Sequence, residues 1–282
     1  MTDWTPSERQ QEREAVRRRL DRRAALVALT ATVLTGVVLG LVIVNAPGWP
    51  TVRETFFSGY HAKQAFPTIL AGFWINVKLF LVAEPLILLL AIMVAVVRST
   101  TAPALFPLRA IAVVYTDLFR GIPTILVVFL FCFGIPALQL QGVTNSFFWL
   151  GVAALVLSYG AYVAEVFRAG IESIHPSQLA SADALGLTHG QAMRYVVLPQ
   201  AVRRVVPPLL NDFVSLQKDT ALLGAVGVFE ALFAARDYAN YNFNFTSYLV
   251  AAAFFVALTV PLARFTDWLG RRYARRERAG GR

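Results

Sequence analysis

Four charged residues, Lys78, Glu84, Lys218 and Asp219, interrupt segments that are otherwise apolar enough to lie in lipid. An ionisable side chain at mid-bilayer costs about 2.5–3.5 kcal/mol on insertion scales, so such groups usually face protein or water. Lys78 and Glu84 point about 240° apart around a helix, so they do not face each other. One interpretation is a polar pathway for a zwitterionic or charged solute. The other is a set of interhelical salt bridges that only hold a bundle together.

The elements that carry these charges are long apolar helices. The chain has 282 residues, of which 57% are hydrophobic and 15% are charged, whereas about 25% of the residues in a soluble domain are charged. A helix needs about 20 mostly apolar residues to cross a bilayer. The sequence therefore predicts an all-α polytopic membrane protein. Its six predicted transmembrane helices are 24–44, 65–97, 121–138, 142–164, 205–235 and 245–263.

The basic residues of this chain, whose formal net charge is +9, are unevenly distributed. Arginines are concentrated at both ends of the sequence, and others lie in the internal segments 98–109 and 168–204. The positive-inside rule places both termini and these segments in the cytoplasm. The predicted domains are a basic cytoplasmic arm 1–23, an extra transmembrane helix 24–44, a membrane domain 66–269 and a basic cytoplasmic tail 270–282. The arm is either a solvated helix or a helix lying on anionic headgroups.

Turn-forming residues predict where these helices end or bend. Segment 45–64 is rich in proline and glycine near its start and is predicted to be a loop on the outside. Pro85 predicts a kink in the second span, because it removes a backbone donor. Asp117 and Arg120 are spaced to pair on one helical face, and Pro123 predicts a break between an interfacial helix and the next span.

The stretch 179–200 is too polar to be embedded in lipid, although apolar segments flank it. Ser177 is predicted to cap a short helix that ends at Gly186, since glycine is favoured just past a helix end. Three alanines keep this helix slim, which allows another protein surface to approach closely.

A second short helix is predicted to follow at once. Thr188 and Gln191 fit a capping box, and the helix should end near Val197 because Pro199 disfavours helix at the residue before it. Two short helices joined at a glycine are also typical of a DNA-binding helix-turn-helix, but the second helix offers only Arg194 for phosphate contacts. A folded loop with no partner is the remaining alternative.

Residues 159–223, YGAYVAEVFRAGIESIHPSQLASADALGLTHGQAMRYVVLPQAVRRVVPPLLNDFVSLQKDTALL, resemble the permease subunits of ATP-binding-cassette importers for polar amino acids, the histidine/glutamine/arginine type. FRGIP at 119–123 resembles an Arg-Gly-Thr-Pro segment of that family, and GFWINVKL at 72–79 resembles the opening of its first shared span. The resemblance covers about residues 66–269. It implies the five-helix core of a type I importer, to which helix 24–44 is an addition.

The resemblance implies that the cytoplasmic loop 174–200 couples the permease to an ATPase. The residues implied in coupling are Gln178, Ala180, Ala182, Asp183, Gly186, Leu198 and Pro199. Ala180 departs from the family, which has a glutamate there, and Asp183 is the candidate for supplying the acid. Asn76 and Lys78 also depart from the usual threonine and uncharged residue.

The implied partners are two ATPase subunits that bind ATP and Mg²⁺, a second permease subunit, identical or homologous, and an extracytoplasmic solute-binding protein. The chain itself is expected to bind no cofactor, metal or nucleic acid. It is predicted to be a transport subunit of the bacterial plasma (inner) membrane, without catalysis of its own. The predicted substrate pathway consists of Lys78, Glu84, Glu165, Asn211, Lys218, Asp219 and Thr220. For Glu165, a structural ion pair with Arg168 is the alternative.

A stand-alone secondary carrier or channel, using the same buried charges, is the alternative function. An intramembrane hydrolase is disfavoured, because His61, His175 and His189 are predicted in loops and Ser158 lacks a glycine-flanked nucleophile elbow.

Overall fold

The computed structural model describes residues 7–100 and 102–280. Every regular element among them is a helix or a helical turn, which confirms the all-α prediction. The chain divides into two compact units, and the division falls between Phe57 and Ser58. The predicted domain boundaries at 23, 44 and 66 differ from this division and remain predictions.

The first unit contains helix α1, Glu8–Val44, and the short helix α2, Trp49–Phe56. α1 passes without a break from the predicted basic arm into the predicted extra transmembrane helix, and its described side chains are almost all exposed. The prediction of a loop at 45–64 is wrong for most of that segment. Pro50 lies in the first turn of α2. Backbone N–H groups in that turn have no acceptor within the helix, so a residue without an N–H costs no hydrogen bond there.

The second unit begins with helix α3, Gly59–Ser99, which is 41 residues long. The Ser58 hydroxyl caps it by accepting the His61 N–H at 3.4 Å. α3 runs through Pro85 as one helical element. Helix α4, Phe106–Gly121, follows a short 3₁₀ turn at Pro103–Leu105.

The break predicted at Pro123 is confirmed. Beyond it the chain turns by 106° into a helical stretch, Thr124–Ala137. This stretch is α5, Thr124–Phe129, a π-turn at Leu130–Gly134, and α6, Ile135–Ala137. An interfacial helix followed by a span is the geometry that the glycine and proline predict.

Helix α7, Phe147–Glu172, lies at the centre of the second unit, and its largest interface is with α3. Three glycines let neighbouring helices approach it. A Cβ atom built on Gly151 would lie 2.3 Å from the Leu223 side chain, and one built on Gly170 would lie 2.1 Å from Val205. One on Gly160 would lie 2.9 Å from Leu90. Small residues at such contacts are how membrane helices gain packing energy.

The remaining helices are α8, Pro176–Ala184; α9, His189–Ala192; α10, Leu198–Asp219; α11, Ala231–Asn242; and α12, Thr246–Gly280. A π-turn, Met193–Val197, joins α9 to α10, and a 3₁₀ segment, Thr220–Val226, follows α10. The predicted single span 205–235 is therefore wrong as one helix. The chain leaves the helical path at Gly227, whose φ of +97° is a left-handed conformation that suits glycine.

Four of the described helices are long and apolar enough to cross a membrane, or five crossings if the bent pair at Pro123 counts as one. α10 is absent from that set because several charged residues interrupt its apolar sequence. The six-helix count remains a prediction.

Candidate functional site

The loop between α7 and α10 forms two short helices around a glycine corner, as predicted. α8 ends where Gly186 adopts a φ of +75°, a conformation that glycine takes without strain. The Leu187 N–H donates to the Ala182 carbonyl at 3.1 Å and closes the helix end. No atom lies within 4 Å of a Cβ built on Gly186, so the corner is open to a partner.

The start of α8 corrects one prediction. His175, not Ser177, is the N-cap, and its Nδ1 accepts the Ser177 N–H at 3.2 Å. Pro176 then occupies the first turn. Proline is favoured there because its φ is already helical and its nitrogen has no hydrogen to satisfy, so the cap falls on the residue before it.

The capping box of the second helix is confirmed. The Thr188 N–H donates to Gln191 Oε1 at 2.8 Å, and the Gln191 N–H donates to Thr188 Oγ1 at 3.3 Å. The prediction that this helix ends near Val197 is wrong, because the chain continues through the π-turn into α10. Pro199 cannot donate to the carbonyl four residues before it, and the wider hydrogen bonding of the π-turn accommodates that missing bond.

The two short helices are attached to the bundle at what we call the loop end, where residues 173–200 join α7 to α10. A small apolar core fixes them there. Its members are Ile171, Ile174, Leu179, Met193, Val197 and Ala201. Arg204 of α10 also donates to the carbonyl of Ser173 at the end of α7. A displacement of α8 and α9 therefore acts on both α7 and α10.

The residues predicted for ATPase coupling lie on the surface of this loop, with one exception. The exposed residues are Gln178, Ala180, Asp183, Gly186, Leu198 and Pro199, whereas Ala182 is buried. Ala180 and Asp183 are three residues apart and share a face of α8. Sequence reasoning missed Leu185, which is 81% exposed beside the glycine corner. The available signal was an apolar residue directly before a capping glycine in a polar loop.

Glu165 of α7 is surrounded by arginines near the loop end. Arg98 of α3 donates to Glu165 Oε2 at 2.8 Å and to Thr116 of α4 at 3.0 Å. Arg168, one turn further along α7, donates through Nε to both oxygens of Glu165 at 3.1 Å. Arg120 of α4 lies 3.7 Å away. We call Glu165 with these three arginines the Glu165 cluster.

This geometry supports the ion-pair interpretation of Glu165, whose carboxylate is held by groups from three helices. Its role in the solute pathway remains a prediction. Arg168 also pairs with Glu172, as the i, i+4 spacing predicts. Arg120 turns toward Glu165, so the predicted pair of Asp117 with Arg120 is not the contact that forms among the described residues.

Among the remaining pathway candidates, Asn211 and Lys218 lie on one exposed face of α10. They are seven residues apart, which places them two turns apart on nearly the same side of the helix. Lys78 is exposed on α3. Asp219 turns from this face toward α7, where it accepts a hydrogen bond from the Tyr159 hydroxyl at 2.7 Å. Tyr159 was missed because tyrosine in an apolar run looks like packing.

Glu84 is half-buried on α3, and its carboxyl group is close enough to that of Asp212 on α10 for the two to repel each other when both are charged. Phe80 and Phe213 hold the two helices together at this level with edge-to-face rings 4.6 Å apart. The Asp212 Oδ2 atom is shielded from solvent and accepts no hydrogen bond from the described residues. Lys78 does not neutralise Glu84, which agrees with their predicted separation around the helix.

Thr220 is fully buried and does not line an open surface. Its hydroxyl donates to the Gln217 carbonyl at 2.8 Å and accepts from Asn76 Nδ2 at 3.1 Å. The same Asn76 nitrogen donates to Glu230 Oε2 at 3.0 Å. The prediction that Thr220 contacts the solute therefore finds no support in this geometry. The sequence had shown Asn76 only as a departure from the family, and Glu230 only as a charge in an apolar segment.

Two adjacent residues of opposite charge, Lys218 and Asp219, thus lie at the C-terminal end of α10. The short helices α8 and α9 pack near its N-terminal end. Helix α10 joins this charged position, Lys218 and Asp219, to the loop that carries the exposed corner.

Comparisons with known proteins agree with this arrangement. Residues 87–275 match the family described as binding-protein-dependent transport system inner membrane component. The chain is 33% identical over 210 residues to a probable glutamine ABC transporter permease protein, GlnM, of Bacillus subtilis, covering 73% of this chain and 94% of that protein. It is 33% identical over 199 residues to the arginine transport system permease protein ArtQ of the same organism, covering 71% and 89%.

Solved structures show the same fold. One, described as an amino acid ABC transporter with histidines, superposes with a TM-score of 0.67 at 28% identity and covers 73% of this chain and 94% of its own. Another, the MetNI methionine ABC transporter in an inward-facing conformation, has a TM-score of 0.57 at 19% identity and covers 73% and 95%.

These relatives confirm the prediction of a transport subunit over a stand-alone carrier, and their family works with ATPase and substrate-binding partners. The match covers the helices that carry both the charged position and the loop. This chain belongs to the family of binding-protein-dependent transport system inner membrane components, as a multi-pass membrane permease subunit.

Proposed function

We propose that this permease moves an amino acid inward and that ATP hydrolysis by partner subunits drives the movement through residues 174–200. The names of the relatives, which include glutamine and arginine permeases, support an amino acid as cargo. The ATP and Mg²⁺ belong to the ATPase subunits, and two such subunits serve a pair of permeases, identical or homologous. An extracytoplasmic binding protein delivers the solute.

The observation that carries the coupling role is the exposed corner at Leu185 and Gly186. Leucine in a polar surface loop exposes apolar area that an interface would bury, at about 25 cal/mol per Å². The corner is attached to both α7 and α10 through the loop core, so a force applied to it reaches the bundle. Because residue 180 is an alanine, this face of α8 lacks the glutamate that the family has there. We assign the acidic contact with the ATPase to Asp183, which lies on the same face.

In this proposal each state of the ATPase dimer favours one arrangement of the helices. The loop end and both termini lie in the cytoplasm, in keeping with their arginines. The exposed face of α10 that carries Asn211 and Lys218 lines the pathway together with the second permease subunit. Lys218 binds the carboxylate of the amino acid, and Asp219 binds its ammonium group.

The cargo is tested with the complex reconstituted in proteoliposomes. ATPase activity is measured as the binding protein is loaded with each amino acid in turn. Stimulation by one amino acid or a related group supports the proposal, and equal activity with every loaded and unloaded form overturns it.

The coupling role is tested by Leu185→Ser. We expect the permease to keep its melting temperature, since the side chain is already exposed, and to lose most copurifying ATPase. Leu140→Ser is the matched control, because Leu140 is also exposed but precedes the opposite end of α7. Equal ATPase recovery with both variants would exclude the corner from the interface.

A further inference from the structure

A polar junction is buried where α3, the end of α10, the 3₁₀ segment and α11 meet. Asn76 is 1% exposed, and Glu230 is fully buried. Asn76 donates to Thr220 and to Glu230, and its Oδ1 accepts the Ala231 N–H at 3.0 Å. The amide therefore uses both its donor and its acceptor on partners from a different part of the chain. We call this set the Asn76–Glu230 junction.

Among the described residues, the hydrogen bonds to Glu230 come from neutral donors, and the Arg236 guanidinium attracts its carboxylate without a hydrogen bond. Its Oε2 accepts from Asn76 and from the Leu232 N–H at 2.9 Å, and its Oε1 accepts the Phe233 N–H at 2.7 Å. It is thus the N-cap of α11, where the first backbone N–H groups of a helix need acceptors. A carboxylate accepting several such bonds is fixed in position because each unmade bond would leave a buried polar group unsatisfied.

Two glycines make room for the Glu230 residue. A Cβ built on Gly72 of α3 would lie 2.7 Å from the Glu230 carbonyl carbon, and one built on Gly224 would lie 2.1 Å from Glu230 Oε1. The junction is therefore a tightly fitted contact, in which a side chain at either glycine would collide with Glu230.

The junction ends at the charged position of α10. Thr220, bound by Asn76, directly follows Lys218 and Asp219 and also bonds back to the Gln217 carbonyl. The Gln217 Oε1 in turn accepts from Thr259 of α12 at 2.7 Å. The residues on both sides of Lys218 and Asp219 are thus buried and hydrogen-bonded through Gln217 Oε1 and Thr220 Oγ1, while Lys218 itself is exposed.

We propose that Asn76 and Glu230 are positioning residues that set where Lys218 and Asp219 meet the solute, although neither touches it. The expected effect on solute affinity rests on the proposed function. The expected displacement of the Lys218 side chain does not. An amide and a carboxylate that are both buried hold the end of α10 against α3 and α11. A change in their donor and acceptor pattern displaces the Lys218 side chain.

The test exchanges the two functional groups. Asn76→Asp faces Glu230 with a second acceptor, and Glu230→Gln faces Asn76 or a helix N–H with a second donor. The double variant Asn76→Asp with Glu230→Gln again pairs a donor with an acceptor between the two side chains. The exchange still leaves the Thr220 hydroxyl and the Leu232 N–H without their wild-type partners. We therefore expect each single change to disturb Lys218, and the double variant to recover part of the wild-type behaviour.

The position of residue 218 is read without any solute. Cys132 is the only cysteine, so Lys218→Cys in a Cys132→Ser background gives a single reactive thiol for a charged methanethiosulfonate reagent. Each single junction variant should change the labelling rate at least about threefold, and the double variant should change it by less than either single variant. Unchanged rates in both single variants, or a larger change in the double variant than in either, would overturn the proposal.

Solute binding is read in the purified permease–ATPase complex, without Lys218→Cys, using tritiated L-glutamine and L-arginine. The single variants should raise Kd at least about fivefold for the probe that binds, and the double variant should raise it by less than either single variant. Ser247→Ala is the matched control, since it removes a fully buried hydrogen bond to Ala235 outside the junction. It should lower the melting temperature and leave Kd unchanged. A Kd that rises as much in this control would show a structural effect only and overturn the proposal.

The two readouts separate the two proposals. If labelling follows the pattern above while the wild-type complex binds neither amino acid, positioning stands and the assignment of the solute to Lys218 fails. If the wild type binds an amino acid and labelling is the same in all variants, positioning fails and the proposed function stands.

Discussion

The Glu165 cluster and the Asn76–Glu230 junction both hold a carboxylate between helices, and they do so by opposite means. Glu165 is 19% exposed and is met by three arginines, two of which extend from other helices. Glu230 is fully buried and is met by an amide and two backbone N–H groups. Asn76 and Arg98, which belong to the two sites, are about 33 Å apart along α3 at 1.5 Å per residue.

The difference follows from access to water. At a wet helix end, charged partners remain hydrated, so an ion pair can open and close at modest cost. In the dry interior, a mobile charge would be expensive, and short neutral donors with fixed directions are used instead. The Glu165 cluster thus keeps partial access to water, whereas the junction is closed to it. Three predictions separate these two behaviours.

The largest effect is expected for Gly72→Ala. Its Cβ would lie 2.7–2.9 Å from backbone atoms of Glu230 and Ala231, which cannot rotate away, so α3 and α11 must separate. Overpacking of this kind lowers the free energy of unfolding by about 1–3 kcal/mol, and we expect a loss near the upper limit of that range. Unfolding can be followed with a thiol-reactive fluorophore, since Cys132 is buried and is the only cysteine. Gly59→Ala is the control, because no atom lies within 4 Å of its Cβ.

An intermediate effect is expected for Glu165→Gln. It removes the charge that the three arginines share, and hydrogen bonds to charged groups contribute about 1.5–3 kcal/mol. Because Glu165 is partly exposed to water, we expect the free energy of unfolding to fall by an amount near the lower limit of this range. The same thermal assay at low and high NaCl should show the wild-type advantage shrinking with salt. A salt-independent advantage would mean that the cluster is as dry as the junction.

The smallest effect is expected for Thr188→Ala at the loop. It removes the Thr188 Oγ1 atom that accepts the Gln191 N–H, which is the cap half of the capping box and is worth about 1 kcal/mol. Both residues are exposed, so the loss should appear as faster hydrogen exchange in residues 188–197 and hardly in the melting temperature. Faster exchange throughout α10 would contradict the expectation that the lost cap loosens only the second loop helix.

Several features of the fold could be predicted because they depend on neighbours in sequence. The glycine corner at 186, the capping box at 188 and the break at Pro123 each follow from the conformational limits of a few adjacent residues. The end of the second loop helix could not be predicted in the same way. Pro199 normally stops a helix, but a π-turn before it supplied an alternative hydrogen-bond pattern that local rules do not contain.

The candidate site was predictable by residue type more than by role. The charges at Lys218 and Asp219 were conspicuous in an apolar segment, and Glu165 with Arg168 had the spacing of an ion pair. Thr220 shared the motif of Lys218 and Asp219, yet it turned out to be buried, because adjacent positions on a helix point about 100° apart. Which residue each of these side chains contacts depends on how α3 and α11 pack.

By itself the sequence determined that this is an all-α membrane protein with a polar loop folded around Gly186, since hydropathy and turn chemistry act over short stretches. Only the tertiary structure decided that Asn76 bonds to Glu230, 154 residues later in the chain, and that Arg98 and Arg120 converge on Glu165. Such pairings depend on which helices share an interface. That choice is made by packing across the whole bundle, where glycines such as Gly72 allow two backbones to touch.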